Sequence, residues 1–314
     1  MSKEPKRKID SNHKKYSIVE SPFYKLGSKK RLLELLCISK EELRTAVQDE
    51  GNYIVFDQMR KQGKPRTIQH PKGNHKKIHS RVANLLVRID VPEYLHSGRK
   101  RHSHVTNANQ HLGCKRVLST DISAFFQSTT RAMVFSFFYN LLKCSSDVAD
   151  ILSYICTYNS HIPTGSQLSM PLAFWSNYRM FDQLSALSSK HNATMTVYVD
   201  DITFSGESIN RLFLSTVLKI ISSNGQQAHS RKTKIFKKND IKVITGVVIK
   251  GTQISITNKQ NKLIYQSFED WKGCRDEPLI ADLITPKLLG RLNALSMIEP
   301  KLKDKAKSVM GYKS

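Results

Sequence analysis

The sequence predicts an α+β protein whose antiparallel sheet carries a group of carboxylates. Three observations predict it. Residues 194–199 (TMTVYV) and 202–205 (ITFS) are β-prone runs around Asp200-Asp201, the pattern of a hairpin with an acidic tip. Residues 116–122 (RVLSTDI) read as a further strand with Asp121 near its end. Around these lie several stretches of helical apolar spacing. A chain of 314 residues suffices for two domains of about 150 residues each, or one elaborate one.

The elements follow in order. Residues 1–15 are polar and lysine-rich, a tail. Ser28 caps a first helix bearing Leu32, Leu33, Leu35 and Leu36, and Ser39-Lys40-Glu41-Glu42 is a capping box for a second. Residues 52–58 and 66–69 form a hairpin about the turn material 61–65, and Pro71 ends it. Ile78, Val82, Leu85, Leu86 and Ile89 place a helix over 75–90. Residues 129–142 and 146–158 are apolar on more than one face and read as buried helices. Pro163-Thr164-Gly165 breaks the chain before a helix at about 170–190. An amphipathic helix covers 208–223. Residues 242–249 and 253–257 form a strand pair about Lys250-Gly251-Thr252, and 258–314 is helical and basic.

Charge narrows the function. Fifty Lys and Arg against 26 Asp and Glu give a net +24, which points to a polyanionic partner, nucleic acid before an anionic membrane. The excess is uneven. Residues 60–116 carry a net +12 and the first 31 a net +7, whereas 121–201 hold six Asp against four basic residues. Carboxylates between basic flanks suit an enzyme in which acids hold metal ions and bases hold a phosphate backbone. No apolar run approaches the roughly 20 residues of a membrane span, and the basic N-terminus is followed by no apolar signal region. Five dispersed cysteines with no C-x-x-C pair argue against a disulfide scaffold or zinc finger and for a cytosolic protein. His102, His104, His111 and Cys114 fit no common zinc spacing.

Two adjacent carboxylates at a hairpin tip repel unless cations fill the space. If the strand ending at Asp121 pairs beside the hairpin, three carboxylates converge. Three can bridge two Mg²⁺ roughly 3.5–4 Å apart, the clamp for in-line nucleotidyl transfer. Mg²⁺ takes oxygen ligands and keeps waters and substrate phosphates in its shell.

Taken in order, the motifs resemble those of a reverse transcriptase, most closely the bacterial retron type. The resemblance runs over about residues 50–250. It rests on Arg66-Thr67-Ile68 with Pro71, Asp121-Ile122-Ser123-Ala124-Phe125-Phe126, Pro163-Thr164-Gly165-Ser166, Tyr198-Val199-Asp200-Asp201, Lys232-Thr233 and Val243-Ile244-Thr245-Gly246. Asn107-Ala108-Asn109-Gln110-His111 fits the Asn-Ala-x-x-His motif of retron enzymes, and Ile244-Thr245-Gly246 their Val-Thr-Gly. The chain departs at Val199, where Ala is usual, and at Thr164, where Gln is common.

The resemblance implies a right-hand polymerase, with 1–50 a basic tail and short helices, 51–250 fingers and palm, and 251–314 a helical basic thumb. It implies that Asp121, Asp200 and Asp201 bind two Mg²⁺, with Mn²⁺ as a substitute and the Ile122 carbonyl as an extra ligand. Lys64 and Arg66 would clamp the triphosphate, Phe126 would lie under the sugar and exclude a 2′-hydroxyl, Gly165 would let the backbone approach the nucleotide or templating base, and Lys232 would reach the triphosphate. Asn107 and His111, as RNA-binding residues, would organise the structured RNA or the segment that holds it, and Thr245-Gly246 would lie near the primer. The implied reaction is RNA-directed DNA synthesis on a cognate non-coding RNA whose guanosine 2′-hydroxyl is the primer. The branched RNA–DNA would serve antiphage defence with an effector protein in the bacterial cytoplasm. A reverse transcriptase of the abortive-infection or diversity-generating type is one alternative, and a catalytically idle RNA-binding scaffold another.

Overall fold

The structure is a computed structural model that describes residues 15–48, 50–59, 65–274 and 278–311. The tail to residue 14 and the hairpin turn 60–64, with Lys64, lie outside the described residues.

The chain opens with α1 (Lys29–Leu36), whose Ser28 hydroxyl accepts the Arg31 N–H, and α2 (Lys40–Gln48). The capping box of α2 is reciprocal. The Ser39 N–H donates to Glu42 Oε2 at 2.8 Å, and the Glu42 N–H to Ser39 Oγ at 3.0 Å. β1 (Tyr53–Gln58) and β2 (Arg66–Pro71) form the expected antiparallel hairpin, with Phe56 opposite Ile68. α3 (Gly73–Leu86) buries Ile78, Val82, Leu85 and Leu86. A short α4 (His104–Asn109), not foreseen from the sequence, precedes β3 (Val117–Asp121). Then come α5 (Phe125–Ser128), α6 (Arg131–Ser136), a π turn over Phe137–Leu141, and α7 (Ser146–Ile155).

The single helix expected over 170–190 is two, α8 (Ser169–Ser176) and α9 (Tyr178–Lys190). They part at Asn177, whose side-chain Nδ2 donates to Ala173 O and Thr129 Oγ1 and so competes with the helix ladder. β4 (Thr194–Tyr198) and β5 (Asp201–Ser205) are the acidic hairpin, and α10 (Arg211–Ser223) follows. A three-residue β6 (Lys234–Phe236) was too short to see in the sequence. The expected strand 242–249 is β7 (Lys242–Ile244) and β8 (Val247–Lys250), folded back at Thr245-Gly246, and β9 (Gln253–Ile256) completes that sheet. α11 (Asn258–Cys274), α12 (Pro278–Leu295) and α13 (Lys301–Gly311) fulfil the helical C-terminal expectation.

The chain forms two compact units that interleave in sequence. One comprises Met1–Pro92, Ser123–Asp182 and Ser222–Gln226. Its core is aromatic: Phe174 stacks on Phe181 at 5.4 Å, Phe137 on Trp175 at 6.2 Å, and Phe23 meets Phe138 edge-on at 5.7 Å. The other comprises Glu93–Ile122, Gln183–Ile221 and Gln227–Ser314. It holds an antiparallel sheet of order β4-β5-β3-β6 and the sheet β7-β8-β9. One apolar cluster in it joins Val105 and Ala108 of α4, Val117 of β3, Ile249 of β8, and Trp271, Leu288 and Val309 of the three terminal helices.

Helix α4 is tied at both ends. His111, just beyond it, has no exposed surface; its Nδ1 lies 2.7 Å from Ser205 Oγ of β5 and its Nε2 2.8 Å from Thr196 Oγ1 of β4. The Thr245 hydroxyl donates to the carbonyl of His104, the first residue of α4, at 2.8 Å. Thr245 and Gly246 both have positive φ, 45° and 81°, as a two-residue type I′ turn requires. A β-branched residue there is strained by about 1–2 kcal/mol, and the bond to α4 offsets part of that. Asn107 is 1% exposed and His111 fully buried, so neither presents its side chain to an RNA. His111 holds its segment through the Ser205 and Thr196 hydroxyls, whereas the buried Asn107 amide has no hydrogen-bond partner among the described residues.

Burial lowers the His111 pKa to about 3, with the nearby His96 adding to the shift, so the ring is neutral in the fold. Below the ordinary value of about 6.5 the unfolded chain takes up a proton that folded His111 does not. This part of the stability is therefore intact above pH 6.5 and lost as pH falls toward 3, amounting to about 2 kcal/mol at pH 5. His111→Gln keeps a donor and an acceptor but has no such proton. Denaturant titrations should give it a smaller loss between pH 7 and pH 5 than the parent by about that amount; equal losses would show that His111 does not fold as a neutral ring.

Candidate active site

β3 is buried along its length and delivers Asp121, 5% exposed, to the end of the sheet. Its neighbour β5 runs antiparallel in a register that sets Asp121 opposite Asp201, and β4 pairs Tyr198 with the same Asp201. Like charges directly opposed across a ladder destabilise it. The hairpin loop is thus Val199-Asp200; Asp201 begins β5 and does not share the turn, contrary to the reading of Asp200-Asp201 as the tip. Val199 has φ 61°, the positive value demanded of the first residue in a two-residue II′-like loop. Its N–H donates to Ser97 Oγ at 3.0 Å. The Asp200 carbonyl accepts the N–H of Ile122 at 2.9 Å, and the Asp121 carbonyl accepts the N–H of His229 at 2.7 Å. Main-chain bonds thus fix both acidic segments before any ion is considered.

A cation of the chain itself meets the carboxylates. Lys232 Nζ donates to Asp121 Oδ2 at 2.7 Å, its own side chain more than half exposed. It is put there by its neighbour: the Thr233 hydroxyl lies 2.8 Å from that of Thr120, one residue before Asp121, and donates to the His229 carbonyl at 3.0 Å. Burial alone would lower the Lys232 pKa; the bond to Asp121 and the charges of Asp121, Asp200 and Asp201 outweigh it and raise the value. Asp201 is pushed up to about 6, first by burial, then by the charges of Asp200 and Asp121, with Lys232 opposing. The site carries more negative charge than one ammonium balances.

Three carboxylates stand at one sheet end, with the main chain of Ile122 between Asp121 and the loop, and such oxygen donors are the type a hard divalent cation takes. Among the described residues no three His, Cys, Asp or Glu side chains form a ready ion-binding group. Mg²⁺ ordinarily completes its shell with waters and substrate phosphates.

The remaining predicted residues belong to the other compact unit. Arg66 is half-buried at the start of β2, and Phe126 half-buried on α5 with its ring 5.8 Å from that of buried Phe125. Gly165 has no room for a side chain: a Cβ would stand 2.7 Å from Gln69 O and 2.7 Å from Ile68 Cγ2. Its N–H donates to Gln69 O at 3.2 Å. The close approach expected toward a nucleotide is therefore made to the backbone of β2. Thr164, standing where Gln is common, binds the Thr67 carbonyl through its hydroxyl at 2.7 Å and Gln69 Oε1 through its N–H at 2.9 Å. Sequence reasoning missed Ser97, Thr120 and Gln69. They belong to no motif, and only their spatial partners mark them.

No family model matches the chain. Among curated proteins it is 27% identical over 233 residues to the retron Ec86 reverse transcriptase of Escherichia coli, covering 72% of each chain. The relatives are retron reverse transcriptases. The Se72 enzyme of Salmonella heidelberg is 30% identical over 152 residues, 47% of this chain and 39% of its own, and the Mx65 enzyme of Myxococcus xanthus 26% identical over 222 residues, 64% and 52%. Apart from the Ec86 enzyme, the chain thus spans well under two thirds of these relatives' own length. Among solved structures, a foamy viral protease-reverse transcriptase in complex with ds DNA has a TM-score of 0.45 and 15% identity, over 85% of this chain and 43% of that one. The motif order that suggested retron enzymes thus agrees with relatives identified over much of the chain.

Removing one of the opposed carboxylates should relieve the repulsion. Asp201→Asn is expected to raise the unfolding free energy by about 1–3 kcal/mol at pH 7.5 in the presence of a chelator. Thermal or denaturant unfolding checks this. Destabilisation by the same substitution would mean that Asp201 is better satisfied than its opposition to Asp121 implies.

Proposed function

We propose that the chain is an RNA-directed DNA polymerase of retron type, which copies a cognate non-coding RNA and uses the 2′-hydroxyl of a guanosine in it as primer. The observation that carries this reading is the opposition of Asp121 and Asp201 across β3 and β5, with Asp200 on the adjoining loop. The likeness to retron reverse transcriptases supports the choice among polymerases. In this reading residues 51–250 are fingers and palm, 251–314 the thumb, and 1–50 a basic lead-in, together a right-hand polymerase.

Asp121, Asp200, Asp201 and the Ile122 carbonyl would hold Mg²⁺, or Mn²⁺ in its place. Ions held there would lower the pKa of the primer hydroxyl and neutralise charge on the triphosphate and the departing pyrophosphate. The residues of the chain do the rest. Lys232, already directed at Asp121, offers an ammonium to a phosphate oxygen next to the carboxylates. Arg66, and Lys64 outside the described residues, would offer guanidinium and ammonium donors to the triphosphate, a guanidinium fork suiting phosphate geometry. Phe126 would exclude a 2′-hydroxyl by bulk. Gly165 and the Thr245-Gly246 turn act by shaping backbone. The basic thumb would hold a folded RNA through phosphates and 2′-hydroxyls. The branched RNA–DNA product would work with an effector protein in antiphage defence in the bacterial cytoplasm. Among the described residues no helix is long and apolar enough to cross a membrane.

Expression with the native flanking DNA tests this. A branched small DNA should accumulate, and the Asp200→Ala, Asp201→Ala double variant should lower dNTP incorporation on the order of a thousandfold or more. Synthesis on primed RNA without any branched product would point to another kind of prokaryotic reverse transcriptase. No incorporation by the parent protein would sink the polymerase reading.

A further inference from the structure

The unit that carries the β1–β2 hairpin contains a cavity lined by none of the residues assigned above to the reaction. Its volume is ≈ 420 Å³, within the range of about 300–1,000 Å³ usual for small organic ligands. Tyr53, His75, Tyr154 and Tyr158 supply ring surface to its walls, and Arg131 a guanidinium. Tyr154 is 45% exposed despite its size. Arg131 lies over the Tyr154 ring, 5.0 Å from the centroid, and is held there by bonds from Nη2 to Asp150 at 2.6 Å and from Nε to Ser153 Oγ at 3.3 Å.

The walls are fixed by the fold. Tyr158 and His161 exchange both main-chain bonds, at 2.8 Å and 3.0 Å, around Asn159 and Ser160, which have φ 46° and 62°. This is a tight type I′ turn. The Arg131 N–H donates to the Ser160 carbonyl at 2.8 Å, so the turn and the arginine move together. At the back, the Tyr53 hydroxyl lies 3.0 Å from His75 Nε2 and 3.3 Å from His79 Nε2, and His79 Nδ1 lies 2.7 Å from Ser166 Oγ. The cavity floor is thereby wired to the residue after Gly165.

We propose that this cavity holds one unpaired nucleotide of an RNA strand, its base against the tyrosine faces and its phosphate toward Arg131. The chemistry is that of single-strand recognition. A paired base buries its faces in its own stack, whereas an unpaired one offers a face to any aromatic ring, whatever its sequence. The guanidinium fork suits a phosphate but is shared with Asp150, so stacking leads and charge assists. The net charge of +24 brings the strand to the surface. A free nucleotide has the same base and phosphate; the strand is favoured because half-exposed Tyr154 leaves the cavity open to a chain passing across it. The inference rests on the nucleic-acid reading of the protein and not on its chemistry at the aspartates.

The test uses the whole protein and a short unprimed single-stranded RNA containing 5-iodouridine. After irradiation and proteolysis, crosslinks should fall on peptides containing Tyr154 or Tyr158. Tyr154→Ala with Tyr158→Ala should weaken binding of that RNA roughly tenfold, the effect of losing one base–aromatic stack, without altering affinity for a fully paired RNA–DNA duplex. Tyr154→Trp, which keeps a stacking face, should retain the crosslink and the affinity. The Asp200→Ala, Asp201→Ala protein should crosslink like the parent, so failure of polymerisation leaves this result standing. Crosslinks confined to other peptides, equal loss of duplex binding in the alanine variant, or labelling of these peptides by 5-iodouridine monophosphate but not by the RNA would each overturn the proposal, whether or not dNTP is incorporated.

Discussion

The antiparallel register of β3 against β5 is the constraint from which the site follows. It sets Asp121 opposite Asp201, an arrangement that costs the fold stability, because both are drawn out of water and repel. The cost is met locally by Lys232 and structurally by the buried strands behind the pair. A slip of one residue would turn every side chain of β3 over and take the fully buried Thr120 hydroxyl from that of Thr233, which it meets at 2.8 Å. The register and this pair thus fix where the negative charge stands.

Two sequence motifs join in one device around that sheet. The Asn-Ala-x-x-His segment packs α4, and His111 ties its end to β4 and β5 by hydroxyl contacts. The Thr-Gly turn clips the start of α4 through the Thr245 hydroxyl. One helix thus holds the acidic hairpin and the three-stranded sheet in the same unit, over the apolar cluster shared with α11, α12 and α13. The hydroxyl contacts account for His111 and Thr245, whereas nothing among the described residues pairs with the buried Asn107 amide. Of the six Asp in 121–201, Asp121 and Asp201 stand on strands β3 and β5 and Asp200 on the loop between β4 and β5, whereas Asp147 and Asp150 lie on α7 and Asp182 on α9.

The sequence made the acidic hairpin legible because β4 and β5 are β-branched and short, and the loop between them is only two residues long. It made α1, α2 and α3 legible through caps and apolar spacing. It hid the break in 242–249, since the run is β-prone throughout and Thr245 adopts a positive φ that local preference opposes. It hid α4, whose capping partner is Thr106 in place of Glu or Gln. For His111 the resemblance implies a role with the RNA or with the segment that holds it; its side-chain partners lie 85 and 94 residues away, a distance no local pattern shows. For Gly165 the resemblance implies close approach to a nucleotide or templating base, and the neighbour it crowds within its own unit is the Gln69 carbonyl, which no local pattern shows.

The central claim is that Asp121, Asp200 and Asp201 form one cation site. The most direct measurement replaces Mg²⁺ with Fe²⁺ and maps where locally generated hydroxyl radicals cut the backbone of the full chain. Cuts beside residue 121 and beside residues 200–201, suppressed by excess Mg²⁺, are the predicted result. Cuts elsewhere, with both acidic segments intact, would contradict it.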